Sequence, residues 1–446
     1  MLQLDLHPSP LGPCPANVGG AVTAGNQDAD GPLPGSCAPI TLETMTTTPD
    51  RVYLDHAATT AMRPEAVEVM HAELLRTGNP SSLHEAGRRA RRVVEESREL
   101  IAERLGARPS EVVFCSGGTE ANNLAIKGLY WSRRSEDPRR DRVVFSSIEH
   151  HALLDPVTWL AAHEGARIDV TPVDRQGRVR LDSLRESIEE TPGDVTAITT
   201  MWANNEMGTI QPVREVVEIA REHGIPVHSD AVQAAGYLPL DFAATGLDAM
   251  TVTGHKLGGP VGIGALVIRR EVTATPLLHG GGQERDLRSG TVGTALIAGF
   301  ATALDLTIQE QERSSVRIEA LRARLVEGIT RLIPDAVVNG DPETGPQHRL
   351  PNIAHVTFPG CEGDALLMLL DAQGVEVSTG SACQAGVPQP SHVLLAMGFD
   401  DAAARGSLRF SLGHTSTEAD VDRLLEVLPA VHERARSAGL VRSRGR

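Results

Sequence analysis

The sequence predicts an α/β protein with a mostly parallel, seven-stranded sheet in a large domain, followed by a smaller C-terminal α/β domain. Two patterns predict this fold. From residue 51 onward, short runs rich in β-branched residues alternate with amphipathic runs of helical period, which is typical of a parallel sheet covered by helices. After about residue 300, a long charged helical run replaces this alternation and is followed by shorter segments.

The strands of the sheet are predicted from these short apolar runs, and the helices from the segments between them. Strands are predicted at 111–115, 142–146, 166–170, 197–201, 226–230, 249–253 and 264–268. Helices are predicted at 119–130, 152–164, 181–190 and 212–224. Because the carboxyl ends of parallel strands meet at one edge of a sheet, we expect the functional side chains to collect there.

The chain divides into four predicted regions. These are residues 1–50, a disordered N-terminal extension; 51–63, a segment that joins the small domain through a strand at 51–55; 64–310, the large domain; and 311–446, the small domain. The extension is rich in Pro, Gly, Ala and Thr and contains no Lys or Arg. An alternative is that translation begins at Met45. A long helix is predicted over 305–333, and a strand of the small domain over 353–358.

Composition excludes several classes of function. The net charge is −16, and the basic run at 88–92 is followed by three glutamates, so we interpret it as a salt-bridged helix face and expect no direct nucleic-acid binding. No apolar stretch approaches the roughly 20 residues that span a bilayer, so no membrane association is expected. The five cysteines lack metal-ligand spacing, and no export or mitochondrial signal is evident. We therefore predict a cytoplasmic protein without a resident metal.

The chain contains only two lysines, Lys127 and Lys256, among its 42 Lys+Arg residues. A chain that uses arginine for ordinary positive charge retains lysine where an amine is needed, as for an imine with an aldehyde. Lys127 lies in a helix-like stretch and is interpreted as a surface or packing residue. Lys256 follows a predicted strand and precedes glycines, which favours a Schiff-base lysine.

Three further stretches lie at the ends of predicted strands. Gly118 and Thr119 open a helix after a Gly-Gly turn, an arrangement that can cradle a phosphate, although such turns are common. Asp230 ends a strand and suits a pyridinium nitrogen, or else caps a helix. His150 or the adjacent His151 offers a ring that can stack on a planar cofactor. Together with Lys256, these residues match the requirements of pyridoxal 5′-phosphate.

With these residues the chain resembles a cysteine desulfurase of the class V aminotransferase group, within the fold-type I pyridoxal-phosphate enzymes. The resemblance extends over residues 52–430. The motifs that carry it lie at 53–60, 78–82, 116–120 (Ser-Gly-Gly-Thr-Glu), 149–150, 204–208, 228–233 (His-Ser-Asp-Ala-Val-Gln), 253–256 (Thr-Gly-His-Lys), 280–285, 288–291, 378–383 and 408–413.

The resemblance implies a role for each site residue. Lys256 would hold the cofactor and move protons, Asp230 would pair with the ring nitrogen, and His150 would stack on the ring as a possible acid or base. The remaining contacts implied are Gln233 and Asn205 at the ring hydroxyl; Gly118, Thr119, Thr253 and His255 at the phosphate; Thr291 at the phosphate from the second subunit of a homodimer; and Arg409, with Asn205, at the substrate carboxylate.

Cys383 specifies the reaction. By composition alone, a single cysteine is more often an inert buried thiol. In this family the corresponding thiolate attacks the sulfur of L-cysteine, which gives L-alanine and an enzyme persulfide, and the sulfur passes to an iron–sulfur scaffold protein or a tRNA-thiolation enzyme. Cys383 could then also serve as a transient iron–sulfur ligand. The alternatives are a class V aminotransferase or lyase acting on another amino acid, which would need no thiol, and a non-catalytic scaffold.

Overall fold

A computed structural model describes residues 51–380 and 390–443, with side chains as far as residue 438. The predicted N-terminal extension and Cys383 lie outside the described residues. In chain order the elements are β1 (Val52–Tyr53), α1 (Pro64–Leu74), α2 (Glu85–Arg104), β2 (Val112–Cys115), α3 (Gly118–Glu136), β3 (Arg142–Ser146), α4 (His151–Glu164), β4 (Arg167–Thr171), α5 (Leu181–Glu190), β5 (Val195–Thr199), α6 (Val213–Glu222), β6 (Val227–Asp230), α7 (Phe242–Thr245), β7 (Ala249–Thr253), β8 (Gly264–Ile268), α8 (Thr294–Leu332), β9 (Val337–Val338), β10 (Ile353–Thr357), α9 (Gly363–Ala372), β11 (Val375–Glu376), α10 (His392–Ala396), α11 (Asp401–Arg405), β12 (Ser407–Ser411) and α12 (Glu418–Ser443).

Within the described ranges, a seven-stranded sheet has the order β2-β8-β7-β6-β5-β3-β4. Strand β8 runs antiparallel to both of its neighbours, and the other pairs are parallel. Strands β2, β3, β5, β6, β7 and β8 are buried along their whole length, which is expected of a sheet covered on both faces, whereas the edge strand β4 is mostly half-buried. The predicted mostly parallel, seven-stranded sheet is confirmed, and each predicted strand overlaps an observed one.

A second group of strands lies in the C-terminal part of the chain. Strands β9, β10 and β12 form an antiparallel sheet in which β10 is central. The N-terminal strand β1 pairs in parallel with β11, and Leu54 and Phe410 belong to one hydrophobic cluster. Residues after the first strand are therefore held against elements more than 300 positions later in the chain.

The long helix α8 begins earlier than the sequence analysis predicted. It starts at Thr294, whereas the predicted start was residue 305. Its first three turns are apolar, and Ile297, Phe300 and Leu304 are buried in the same cluster as the strands of the large sheet. Because this part of the helix is buried, it lacks the charged face that marked the later turns.

The basic run of helix α2 pairs differently from the predicted pattern. We expected Arg88–Arg92 to pair with the following glutamates on the same helix. Instead, Arg89 pairs with Glu73 of α1, and Arg88 donates a hydrogen bond to the carbonyl of Leu83. The neighbouring helix supplies a carboxylate that a single-helix pattern cannot reveal.

In the described ranges, no helix is long and apolar enough to cross a membrane.

Buried histidines make the stability sensitive to acid. His228 is fully buried between the hydroxyls of Thr199 and Thr251, and burial lowers its pKa from 6.5 to about 3. Between these two pH values the unfolded chain binds a proton that the folded chain excludes, so the free energy of unfolding falls as the pH is lowered. Each such histidine contributes a slope of about 1.4 kcal/mol per pH unit.

We therefore expect His228→Gln to reduce the slope of unfolding free energy against pH by about 1.4 kcal/mol per unit between pH 6.5 and 4. Denaturant titrations at several pH values would measure it. Burial raises the pKa of the Glu149 carboxyl, and this shift contributes a slope of the opposite sign. Because Glu149 is present in both the natural protein and the variant, its contribution cancels when their slopes are subtracted. His163→Gln, at an exposed position, is the matched control. An unchanged slope in His228→Gln would contradict the assignment.

Candidate active site

One cavity of about 360 Å³ lies at the carboxyl ends of β5, β6 and β7. Of the predicted site residues that the structure describes, all except Thr291 line it. They are Gly118, Thr119, His150, Asn205, Asp230, Gln233, Thr253, His255, Lys256 and Arg409. These residues come from six separate motifs of the chain, so their convergence is a property of the fold rather than of sequence proximity.

The amine of Lys256 points toward the chain that follows β1. Lys256 ends a short 3₁₀ turn directly after β7. Its Nζ donates hydrogen bonds to the carbonyl oxygens of Ala57 and Ala58, the latter at 2.7 Å. Lys127, in contrast, lies over the ring of Trp159 at 4.1 Å from the ring centre and does not line the cavity. Lys256 therefore lines the cavity, whereas Lys127 packs on an aromatic ring.

Asp230 presents a buried carboxylate at the end of β6. Its Oδ2 accepts a hydrogen bond from Asn122 Nδ2 at 2.6 Å, and its Oδ1 accepts one from the Val232 N–H at 2.9 Å. Burial raises the pKa of Asp230, while these two donors and the charge of Lys256 oppose the rise. A carboxylate held in this way stabilises a cationic N–H group placed opposite it.

The N-terminus of helix α3 opens into the same cavity. This helix has 19 residues and begins at Gly118, and the first N–H groups of a helix have no partner within it. A Cβ atom on Gly118 would lie 3.1 Å from Val232 Cγ2, so a larger residue here would crowd Val232, which also lines the cavity. Thr119 and Thr253 add hydroxyls at this end of the cavity. Unpartnered N–H groups, hydroxyls and the helix dipole together suit a phosphate.

His150 is a neutral ring at the start of helix α4. Its Nδ1 accepts a hydrogen bond from the N–H of Ala152 at 3.0 Å. Burial, followed by the charge of Lys256, lowers the pKa of His150 to about 4. Since Nδ1 accepts, the ring proton of the neutral form is on Nε2. The pKa of His255 is lowered to about 4 for the same two reasons.

Arg409 brings a guanidinium from the second group of strands into the cavity. Its Nη1 donates to the carbonyl of Asn205 at 2.9 Å, and its Nη2 donates to Asp55 Oδ1 at 2.8 Å. The Arg409 side chain is 5% exposed, and its Nε has no hydrogen-bond partner among the described residues. Asp55 and the carbonyl of Asn205 therefore orient a guanidinium that lines the cavity.

Gln233 completes the wall beside Lys256. Its Nε2 donates to the carbonyl of Ala57 at 2.9 Å, the same carbonyl that accepts from Lys256.

Thr291, unlike the other predicted site residues that the structure describes, is exposed and does not line this cavity. The prediction that Thr291 reaches the site of a second subunit therefore remains a prediction.

Cys383 lies outside the described residues, but the other cysteines from residue 51 onward lie within them. Cys115 and Cys361 are both buried, and burial raises the pKa of each thiol, that of Cys361 to about 11. Both thiols are therefore protonated at neutral pH and are poor nucleophiles. Across the described ranges, no group of three His, Cys, Asp or Glu side chains is arranged to hold a metal ion.

Residues 52–424 match the family model for class-V aminotransferases. The chain is also 59% identical over 390 residues to the IscS-like cysteine desulfurase of Mycobacterium tuberculosis, an alignment that covers 87% of this chain and 98% of that protein. The chain belongs to the cysteine desulfurases of the class-V aminotransferase family. The resemblance predicted from the motifs is confirmed.

Two solved structures are similar to this cysteine desulfurase. One is a NifS-like protein, with a TM-score of 0.78 and 35% identity, covering 86% of this chain and 99% of that chain. The other is SspA in complex with cysteine, with a TM-score of 0.69 and 34% identity, covering 81% and 98% of the two chains. With these neighbours, the predicted fold class, the fold-type I arrangement, is confirmed.

Sequence analysis missed two cavity residues whose side chains hydrogen-bond to the side chains of predicted ones. Asp55 orients Arg409, and Asn122 donates to Asp230. Asn122 lies three residues after Thr119, one helical turn into α3, so the helical period combined with the predicted phosphate cradle could have indicated it. Asp55 had only its place in the 53–60 motif as a signal, because its partner is 354 residues away.

Proposed function

We propose that this cysteine desulfurase removes the sulfur of L-cysteine with pyridoxal 5′-phosphate as its cofactor, and yields L-alanine and a persulfide on Cys383. The observation that carries the proposal is the convergence of Lys256, Asp230 and Arg409 on one cavity. An amine and a buried carboxylate suit this cofactor, and an oriented guanidinium suits the carboxylate of an amino-acid substrate.

The residues of the cavity fit the cofactor. Asp230 would face the ring nitrogen, the Lys256 amine would hold the cofactor covalently, and His150 would lie against the ring. Gln233 and Asn205 would contact the ring hydroxyl, and the phosphate would be held by Gly118, Thr119, Thr253 and His255. When bound, the cofactor withdraws electrons from the substrate carbon that carries the amino group.

Arg409 is the proposed partner of the substrate carboxylate, with Asn205 beside it. A guanidinium is suited to this task because it offers parallel donors in a fixed plane. Asp55 and the carbonyl of Asn205 hold two of its nitrogens, so the guanidinium does not have to be ordered when the substrate arrives.

Proton transfer is proposed for Lys256. Its Nζ would take the proton from the substrate carbon that bears the amino group. Ala57 and Ala58 direct the amine through their carbonyls, which restricts the positions that it can occupy. The neutral His150 would donate through Nε2 rather than act as a strong base, since its other nitrogen is engaged by Ala152.

The sulfur step is assigned to the Cys383 thiolate. It attacks the sulfur of the bound cysteine, so that a sulfur–sulfur bond forms and the carbon–sulfur bond breaks. The electron pair of the broken bond stays with the side-chain carbon of the substrate, which takes up a proton. Lys256 would return its proton to the carbon that bears the amino group, and L-alanine results. The outer sulfur of the persulfide then passes to a thiol of an acceptor protein. We propose that this acceptor is an iron–sulfur scaffold protein or a tRNA-thiolation enzyme, and that the transfer takes place in the cytoplasm.

A homodimer is proposed as the active form. The exposed position of Thr291, in the segment before helix α8, is compatible with its reaching the phosphate site of a second copy. This assignment rests on the family resemblance of the motif at 288–291.

The reaction is tested with purified protein, added pyridoxal 5′-phosphate, L-cysteine and a thiol reductant. We expect alanine and sulfide in equal amounts, over many turnovers per active site. Formation of a keto acid without sulfide would instead support an aminotransferase. If no product forms with L-cysteine or with any other common amino acid, the result would support a non-catalytic scaffold. L-serine in place of L-cysteine is the control, because it offers no sulfur.

A further inference from the structure

A second cavity, of about 430 Å³, lies at the edge of the seven-stranded sheet opposite to Lys256. Strands β6 and β7 are parallel and β8 runs antiparallel to β7, so the starts of β6 and β7 and the end of β8 meet at this edge. Helices α3 and α6 form the remaining walls. Among the described residues, none lines both this cavity and the one that contains Lys256. The second cavity is therefore a separate feature of the fold.

Three arginines from separate elements line the second cavity. They are Arg133 of α3, Arg221 of α6 and Arg269, which directly follows β8. Arg269 donates from Nε to the carbonyl of Leu247 at 2.6 Å, and Arg133 donates from Nη2 to the carbonyl of Gly224 at 3.5 Å. In the part of the chain that the structure describes, none of the three forms an ion pair, and Arg221 has no hydrogen-bond partner.

The same three arginines surround one half-buried carboxylate, that of Asp248. Its Oδ2 accepts a hydrogen bond from the Val227 N–H at 2.9 Å. Burial raises the pKa of Asp248, and the positive charges of all three arginines oppose the rise. A Cβ atom on Gly246 would overlap Nη2 of Arg221, so this guanidinium lies directly on the chain that leads to Asp248. Since the interaction between charges weakens with distance, the three guanidinium groups lie close together around Asp248.

The carboxylates of the second cavity do not balance its arginines. Glu136 and Glu271 also line it, but Glu136 pairs with Arg140 at 3.4 Å and Glu271 pairs with Arg108 at 3.5 Å. Neither of these two pairing arginines lines the cavity, and the two glutamates are 58% and 66% exposed. Among the described lining residues, Asp248 alone is left to balance three guanidinium groups. The cavity therefore has an excess of two positive charges.

We propose that the second cavity binds a small phosphorylated molecule, whose phosphate is held by Arg133, Arg221 and Arg269. Guanidinium groups bind phosphate through parallel N–H donors, and a phosphate monoester carries about two negative charges at neutral pH. That charge matches the excess of positive charge in the cavity. The inference goes beyond the proposed function and does not depend on it.

The rest of the cavity suits a carbon skeleton attached to the phosphate. Its volume of about 430 Å³ falls within the range of roughly 300–1,000 Å³ that is typical of small-molecule sites. Val217, Ile225 and Val272 line it beside the arginines. These apolar side chains favour a phosphate ester over inorganic phosphate, because the ester brings apolar surface to pack against them.

The test is a calorimetric titration of the cofactor-loaded enzyme, freed of unbound cofactor, with glycerol 3-phosphate at constant ionic strength. The bound cofactor occupies the proposed phosphate cradle of α3, so that this cradle does not compete for the probe. We expect one equivalent to bind per chain. Glycerol and succinate are expected to bind at least about tenfold more weakly, because glycerol has no charge and succinate divides its charge between two separated carboxylates.

Two variants test whether the arginines form the site. Arg221→Gln and Arg133→Gln are each expected to weaken binding of glycerol 3-phosphate about tenfold or more, since each removes a charged donor. Arg270→Gln is the matched control, because Arg270 is exposed, follows Arg269 in sequence and does not line the cavity. It loses the same charge and is expected to change the affinity less than about twofold. If Arg133→Gln does not fold, Arg221→Gln decides the question.

Four results would overturn the inference. They are no binding of glycerol 3-phosphate, an unchanged affinity in Arg221→Gln, an equal loss of affinity in Arg270→Gln, and an affinity for succinate equal to that for glycerol 3-phosphate. Binding confined to the cofactor-free enzyme would be a fifth, because it would place the phosphate at Gly118 and Thr119. Alanine and sulfide are not part of this readout, so the proposed function and this inference succeed or fail separately.

Discussion

Replacing Lys256 by alanine is expected to abolish turnover and to remove the visible absorption band of the bound cofactor. Only an amine side chain can bind pyridoxal 5′-phosphate covalently, and Lys256 is the lysine that lines the cavity. Loss of its proton-transfer role alone is expected to cost about 10²–10⁴-fold in rate. The loss of the cofactor adds to this, so residual activity should fall below detection.

Lys127→Arg is the control for this experiment. Lys127 packs over Trp159, and an arginine can make the same contact with the ring. This variant should keep both the absorption band and the rate of sulfide formation. The opposite outcome, in which Lys256→Ala remains yellow and Lys127→Arg does not, would show that the wrong lysine had been assigned.

The sequence predicted the site best where one residue type has few alternative uses. Lys256 was selected because lysine is rare in this chain, and Asp230 because a predicted strand ends in a carboxylate; both line the cavity. Both features are local, and the parallel sheet then brings them to one edge. Strand positions were predicted closely for the same reason, since short β-branched runs flanked by helices leave few other arrangements.

Residues whose function depends on a distant partner could not be predicted in this way. Asp55 orients a guanidinium 354 positions later. No periodicity in the sequence links such pairs. The first turns of helix α8 were missed for a related reason, because burial on all sides removes the polar face that identifies a surface helix.

Replacing Cys383 by serine is expected to separate binding from sulfur removal. The proposed binding residues, among them Lys256, Asp230 and Arg409, do not include the thiol. Cys383→Ser should therefore hold the cofactor and change its absorbance when L-cysteine is added. It should yield neither sulfide nor alanine in catalytic amounts, because a serine hydroxyl cannot accept sulfur as a thiolate does.

The decisive measurement for this prediction is mass spectrometry after L-cysteine is mixed with the natural enzyme under non-reducing conditions. One additional sulfur atom, removable by reductant, should map to Cys383. Cys115→Ser and Cys361→Ser are the controls: burial raises the pKa of both thiols, so neither is a competent nucleophile at neutral pH, and both variants should stay active. If Cys383→Ser desulfurates normally, or if the additional sulfur maps only to another cysteine, the thiol has been misassigned. The cavity of Lys256, Asp230 and Arg409 would then be better explained as the site of a class-V aminotransferase that acts without a nucleophilic cysteine.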